Sequence, residues 1–290
     1  MAGYRFCRSD DAQRLVEAYN ACYRVHFPEL PELTLDGFKR WVREIQVWAS
    51  SCMIAYEDRG EPIGVLIGAK RETANGVVAL GVHPEHLRQG HGSHMLQSLS
   101  SKLAILGPPR ILAEVPEDLA GARACFEACG FHAFATYGDF VLDVDSGAAG
   151  ARREPHALVA PIGFDEALAA GLLEGRGHPL SWDRWMDSLV SRKERLRGFA
   201  VVSEARIEAG LLYSVADERG ETCRIELVHI AEARAGEALV GVLFEVLESR
   251  GCRRVIGSRL HPEEVAFEVL ERLRFEDLGR AVGYVMEGLE

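Results

Sequence analysis

Residues 77–93 combine an apolar strand, a glycine-containing turn and the start of a helix. The strand is predicted over Val77–Val82, and the turn that follows reads HPEHLRQGHGS, residues 83–93. The first backbone N–H groups of a helix lack intrahelical acceptors and attract anions. Gly90 and Gly92 lack Cβ atoms, so an anion can approach the main chain, and Arg88 adds a fixed positive charge. The segment therefore predicts a pyrophosphate cradle.

Other binding motifs fit this turn poorly. It contains no Gly-x-x-x-x-Gly-Lys-[Ser/Thr] run, and the first glycine of a dinucleotide fingerprint is missing. His91 and His94 have the spacing of a ligand pair on a helix, but no nearby acid completes a metal-binding set. We therefore expect no metal site here.

A second block with its own chemistry covers residues 114–131 and reads EVPEDLAGARACFEACGF. A strand over 110–115 leads into a helix that begins near Leu119 and ends at Gly130, a C-cap glycine. The two blocks together resemble the GCN5-related N-acetyltransferase (GNAT) family over roughly residues 4–144. Within it, the second block is similar to the ribosomal-protein alanine acetyltransferases at Glu114, Ala122, Phe126, Gly130 and Phe131.

The resemblance implies that acetyl-CoA is the co-substrate. In this family two parallel strands splay apart, and the pantetheine arm pairs with the main chain of the first. The cofactor-binding positions that the resemblance implies here are Leu80, Gly81, Val82, Arg88, Gln89, Gly90, His91, Gly92, Ser93 and Phe126. One position departs from the family pattern, because Leu87 stands where the family usually has Arg or Gln.

The resemblance also implies catalytic roles. Glu114 stands where related members have the carboxylate that takes the proton of the amine. The tyrosine that usually meets the leaving thiolate is replaced by Phe126, and the family's asparagine by Leu119. Tyr137, on the strand after Phe131, is the candidate substitute for the missing acid.

These residues lead to two functional hypotheses. The first is an acetyl-CoA-dependent N-acetyltransferase that moves an acetyl group to an amine on a small molecule or a protein N-terminus. The second is a catalytically impaired CoA-binding regulatory or scaffold protein on the same fold, which Leu87, Leu119 and Phe126 would allow.

The elements that position these residues predict an α/β fold with a mixed sheet. A strand at Tyr4–Cys7 is followed by helices over 11–24 and 35–45, and strands over 53–57, 62–69 and 77–82 form an antiparallel meander. The helix from Gly90 places four apolar side chains on one face, namely Met95, Leu96, Leu99 and Leu103.

The length of 290 residues predicts two tandem GNAT-like acyl-CoA N-acyltransferase domains. We predict a first domain over 1–145, a glycine-containing linker over 146–155, and a second domain over 156–290 with a helix over 181–195 and another over 236–250. Ser258 occupies the position of Glu114, and Glu237 replaces His91 in the phosphate turn. A carboxylate there would repel a pyrophosphate, so the second domain is predicted to be a degenerate repeat.

Composition narrows the choice of partners. The net charge of −11 disfavours nucleic acid, and no apolar stretch is long enough to span a membrane. Seven scattered cysteines without a Cys-x-x-Cys pair, together with the absence of a signal-peptide pattern, predict a cytoplasmic protein. We expect an amine-bearing acceptor as partner, and homodimerisation is left open.

Overall fold

The computed structural model describes residues 2–58, 60–143, 158–202, 207–216, 219–230 and 251–287. Mixed strands and helices confirm the predicted α/β class. The predicted linker over 146–155 and the predicted helix over 236–250, which includes Glu237, lie outside the described residues.

The bounds of the elements agree with most of the sequence predictions. The helices are α1 (Ala12–Cys22), α2 (Leu35–Glu44), α3 (His91–Leu106), α4 (Ala120–Ala128), α5 (Phe164–Ala169), α6 (Met186–Ser191) and α7 (Phe267–Arg272). The strands are β1 (Gly3–Phe6), β2 (Met53–Tyr56), β3 (Pro62–Lys70), β4 (Asn75–Val82), β5 (Ile111–Pro116), β6 (His132–Asp143), β7 (Leu158–Ile162), β8 (Arg197–Val202), β9 (Ile207–Val215), β10 (Thr222–Ile230), β11 (Arg254–Leu260) and β12 (Glu276–Met286).

The chain divides into two compact units whose limits differ from the predicted 1–145 and 156–290. Unit 1 contains Met1–Phe134 together with Val282–Glu290, and unit 2 contains Ala135–Ala281. Most of β6 therefore belongs to unit 2, whereas the end of β12 belongs to unit 1. The sequence alone could not predict these limits, because strand pairing depends on contacts between residues far apart in the chain.

Unit 1 is a sheet covered on both faces. Its strand order is β1-β2-β3-β4-β5 followed by residues 282–286 of β12, with antiparallel pairing up to β4 and parallel pairing of β4 with β5. The apolar stripe of α3 covers one face, with Met95 and Leu99 fully buried. On the other face α1 and α2 bury Leu15 and Phe38. The predicted meander and the predicted stripe are both confirmed.

Unit 2 repeats this arrangement. Its order is β6-β11-β10-β9-β8-β7. The strands β10 and β11 are parallel, and the pairs β6–β11, β9–β10, β8–β9 and β7–β8 are antiparallel. The predicted internal repeat is therefore confirmed at the level of topology.

The single helix predicted over residues 181–195 is wrong. Two short 3-10 helices, Trp182–Arg184 and Lys193–Arg195, flank α6, and Trp185 has extended backbone angles between the first of them and α6. The side chains of Arg184 and Arg192 are buried here in ion pairs. These long-range contacts outweigh the local helical preference.

Candidate acyl-transfer cleft

The two parallel strands of unit 1 separate part-way along their length. The pairing of β4 with β5 ends at Val77 and Ala113, although β4 continues to Val82 and β5 to Pro116. The gap opens into a cleft of about 630 Å³ that lies entirely in unit 1. The splay that the family resemblance implied is thus present.

Alternation along β4 decides which backbone groups face the gap. The N–H of His83 donates to the carbonyl of Ile63, and Gly81 is the partner of Val65 on β3. In an antiparallel pair the residues between such positions direct their N–H and C=O groups to the opposite edge. Leu80 and Val82 therefore present main-chain groups to the gap.

Gly81 was predicted to bind the cofactor, but its position gives it another role. Its main-chain groups face β3. A Cβ on Gly81 would lie 2.6 Å from the Cα of Tyr23, closer than real Cβ contacts. Gly81 is thus the residue that lets the end of α1 rest directly on β4.

The turn before α3 has the conformation of an anion cradle. Arg88 and Gly90 both have positive φ angles, 63° and 85°. Gly90 is the N-cap residue of α3, and no side chain caps the helix. A Cβ on Gly90 would meet nothing within 4 Å, so glycine is needed here for its backbone angle more than for space. The uncapped N–H groups and Arg88 line the cleft.

Three other predicted residues of the turn have different surroundings. Gly92 and Ser93 line the cleft, and the Ser93 hydroxyl lies 3.4 Å from the Cys125 thiol. The Gln89 side chain donates to the Glu85 carbonyl at 3.4 Å and is not among the described residues that line the cleft. Only the main chain of Gln89 remains a candidate for binding.

The side chain of His91 is engaged inside the protein. Its Nδ1 lies 2.5 Å from the Tyr4 hydroxyl, and its buried Nε2 has no partner within the described part of the chain. Burial lowers the pKa of His91, and the neighbouring His86 and His94 lower it further. A neutral, enclosed imidazole is a weak phosphate ligand. The main-chain N–H of His91, at the start of α3, is the better candidate.

Glu114 and Phe126 both line the cleft. Glu114 follows Ala113, the last β5 residue that pairs with β4, and is partly exposed. Phe126 on α4 is 4% exposed and packs against the rings of Phe131 and Tyr284 at 5.1 and 6.1 Å. The cleft therefore combines a carboxylate with an apolar wall at the position of the family's tyrosine.

Tyr137 does not join this group. It is 1% exposed, its hydroxyl donates to the Pro179 carbonyl at 2.8 Å, and both residues belong to unit 2. It is not among the described residues that line the cleft. Tyr137 is therefore not placed to supply the missing acid, contrary to the prediction. Tyr137 follows Phe131 closely in the sequence, but this part of β6 belongs to unit 2.

The structure brings to the cleft an aromatic segment whose rings were not singled out from the sequence. Tyr23, His26 and Phe27 line it from the end of α1, and His26 Nε2 donates to the Val82 carbonyl at 2.8 Å. Tyr19, Tyr23 and Phe27 are spaced by four residues in the sequence. This spacing is the sequence feature from which a row of stacked rings could have been predicted.

The corresponding gap of unit 2 is filled by a side chain. Pairing of β10 with β11 ends at Arg224 and Ile256. Beyond it, Arg184 donates to the carbonyls of Ile225 on β10 and Ser258 on β11, at 2.9 and 3.5 Å. Arg184 is fully buried and forms a bidentate pair with Glu264 at 2.7 and 2.8 Å. The guanidinium thus occupies the space between the two strands.

Within the described ranges, no three His, Cys, Asp or Glu side chains are grouped so that they could hold a metal ion. Across the same residues, no helix has both the length and the apolar character needed to cross a membrane.

Comparison with known proteins identifies the fold of the part of the chain that forms the cleft. Residues 12–131 match the model of the Acetyltransferase (GNAT) family. Residues 12–131 therefore form a domain of the GNAT type. Over 114 residues, 39% of this chain and 75% of the relative, the chain is 27% identical to an acetyltransferase of Photorhabdus laumondii. The family transfers acyl groups to amines, which is the chemistry that the GNAT domain implies.

Solved structures extend the likeness to both units. A GCN5-related N-acetyltransferase from Sphaerobacter thermophilus has a TM-score of 0.69 at 16% identity, covering 100% of this chain and 97% of its own. A tandem GNAT protein from the clavulanic acid biosynthesis pathway has a TM-score of 0.65 at 16% identity, covering 100% and 99%. The predicted tandem GNAT fold is confirmed.

Proposed function

We propose that this protein is an acetyl-CoA-dependent N-acetyltransferase whose active site lies in unit 1. The observation that carries the proposal is the gap beyond Val77 and Ala113, which faces the uncapped start of α3. The edge of β4 that no longer pairs with β5 lies next to an anion cradle. This arrangement suits a ligand that carries amide groups at one end and a pyrophosphate group at the other.

The residues present fit such a ligand. The first N–H groups of α3 and the guanidinium of Arg88 would hold the pyrophosphate, and a hydrogen bond to a charged group contributes about 1.5–3 kcal/mol. The backbone of Leu80 and the N–H of Val82 would pair with the pantetheine amides, while the Val82 carbonyl already accepts from His26.

When bound, acetyl-CoA supplies an activated acyl thioester. The nitrogen of the amine forms a bond to the acyl carbon, the carbon–sulfur bond breaks, and the sulfur keeps the electron pair. Glu114 accepts the proton of the amine, directly or through a water molecule, and passes it to solvent. Phe126 cannot donate a proton to the sulfur, so the thiolate is protonated by solvent.

The second hypothesis, a CoA-binding regulatory or scaffold protein, is favoured by one observation. Phe126 is buried against Phe131 and Tyr284, and Tyr137 does not replace the missing hydroxyl. A protein that binds CoA tightly but releases no thiol with any amine would fit this alternative.

We propose one CoA site per chain, because Arg184 lies between the parallel strands of unit 2. Calorimetric titration with CoA is expected to give a stoichiometry near one, and Gly90→Glu is expected to abolish the heat of binding. Gly220→Glu is the matched control, since Gly220 also has a positive φ, 77°, and open space around its Cα. Two equal sites, or binding that survives Gly90→Glu, would contradict this assignment.

Catalysis is tested separately by thiol release from acetyl-CoA in the presence of amines. Amine-dependent release that disappears in Gly90→Glu and persists in Gly220→Glu supports the acetyltransferase. CoA binding with no release for any amine supports the alternative.

A further inference from the structure

The cleft has an aromatic wall, formed by Tyr23 and Phe27, that the proposed cofactor contacts leave unused. Their ring centroids are 5.0 Å apart, and the stack continues to Tyr19 at 5.0 Å from Tyr23. Both rings of the wall are partly exposed and line the cleft from the α1 side. The proposed phosphate contacts use Arg88 and the start of α3, which line the same cleft, so the wall is left for the acceptor.

Contacts with β4 fix the position of the aromatic wall. The Cα of Tyr23 rests on Gly81, where there is no room for a Cβ. His26, between the two rings in sequence, donates to the Val82 carbonyl at 2.8 Å. Arg24 Nε donates to the Leu30 carbonyl at 3.0 Å and closes the following loop. The rings are therefore held at the end of β4, where the strands have separated.

The charge of the cleft limits the charge of the acceptor. Among the described residues that line it, Glu114 is the one carboxylate, and Arg88 is a fixed cation. A single ammonium group can pair with Glu114. A second ammonium would lose its hydration without gaining a carboxylate partner, which is costly in a partly enclosed site.

We infer that the acceptor is a primary amine that carries one positive charge on an apolar, ring-bearing body. The ring would pack against Tyr23 and Phe27, and the amine would point toward Glu114. This assignment rests on the proposed function. The amine RNH₂ and acetyl-CoA yield RNHCOCH₃ and free CoA thiol, with the proton of the amine passing to Glu114 and the thiolate taking one from solvent.

The acceptor class is tested with a panel of amines in which charge and body vary separately. The probes are 2-phenylethylamine, ethanolamine and spermidine, with thiol release as the measurement on the full chain. The expected order of kcat/KM is 2-phenylethylamine, then ethanolamine, then spermidine, with the first at least 10-fold above the others. A tripeptide with N-terminal phenylalanine presents the same ring and amine, and it distinguishes a peptide source from a small molecule.

Variants of the wall test whether these rings cause the preference. Phe27→Ala is expected to raise KM for 2-phenylethylamine by roughly 10-fold, with kcat and the ethanolamine KM nearly unchanged. Phe27→Leu keeps an apolar side chain and is expected to raise the KM for 2-phenylethylamine by less than Phe27→Ala does. Trp48→Ala is the control, because Trp48 is also an exposed aromatic residue (55%) but is not among the described residues lining the cleft.

The outcomes separate this inference from the proposed function. If spermidine or ethanolamine is the best acceptor, or if Phe27→Ala leaves KM for 2-phenylethylamine unchanged, the acceptor class is wrong while the acetyltransferase stands. If CoA binds but no amine releases thiol, the proposed function fails and the inference fails with it.

Discussion

Gly81 of β4 and Tyr23 at the end of α1 are in direct main-chain contact. A Cβ on Gly81 would stand 2.6 Å from the Cα of Tyr23. The contact joins the strand that offers its edge to the cleft with the residue that begins the aromatic wall. The position of one therefore sets the position of the other.

We predict that Gly81→Ala impairs acceptor use more than CoA binding. The added methyl group forces α1 away from β4, which should lower the free energy of unfolding by about 1–3 kcal/mol and raise KM for the acceptor roughly 10-fold or more. Thermal unfolding and steady-state kinetics measure the two effects. Gly3→Ala on β1 is the control, since a Cβ there would meet nothing within 4 Å and Gly3 is not among the described residues that line the cleft. Equal behaviour of the two variants would show that the Gly81 contact is unimportant.

A second prediction concerns Glu114. Glu114→Gln keeps the shape of the side chain and removes the titrating group, so kcat should fall by roughly 10²–10⁴ with CoA affinity nearly unchanged. The rate of the wild type should rise with pH as the amine deprotonates, and the variant should approach it only at high pH. Glu117→Gln, an exposed residue just beyond β5, is the control. Superimposable pH–rate profiles of wild type and Glu114→Gln would exclude Glu114 as the base.

The third prediction concerns the buried ion pairs of unit 2. Burial alone would raise the pKa of Glu264, but the charges of Arg184 and Arg176 outweigh it and lower this pKa to about 2. A depressed carboxyl pKa stabilises the fold at pH above the ordinary value of 4.5, and this stabilisation is lost as the pH falls toward 2.

Glu264→Gln should therefore lower the free energy of unfolding at pH 7 by about 3–5 kcal/mol, because it leaves buried arginines without their partner. Urea unfolding at pH 7 and at pH 3 should show a smaller pH dependence for the variant than for the wild type. Glu263→Gln, whose side chain is 71% exposed, should resemble the wild type at both values. If Glu264→Gln retained the full pH dependence of the wild type, Glu264 would not be the source of the acid sensitivity.

The fourth prediction is that residues 1–145 do not form a stable protein alone. Tyr284 is 1% exposed in the core of unit 1, and its hydroxyl donates to Glu127 at 2.7 Å. Without Val282–Met286 the fragment exposes β5 and the apolar core beneath it, so it should aggregate. Deletion of residues 282–290 from the full chain should have the same effect. Size-exclusion chromatography tests both, and a monomeric fragment with a cooperative thermal transition would contradict the prediction.

The sequence by itself determined the elements of unit 1 from β1 to α4 and the local conformation of the cradle. These features depend on short-range physics: apolar periodicity predicts the strands and the α3 stripe, and Gly90 supplies a positive φ at a helix start. For the same reason the helix that ends at Gly130, whose φ is 90°, could be predicted closely.

Only the tertiary structure decided which distant residues share a site. It placed Tyr23 and Phe27 in the cleft, moved Tyr137 into unit 2, and put Arg184 between β10 and β11. Each of these outcomes depends on a contact between residues far apart in the chain. Such contacts are decided by packing and charge pairing in three dimensions, and neither has a local pattern in the sequence.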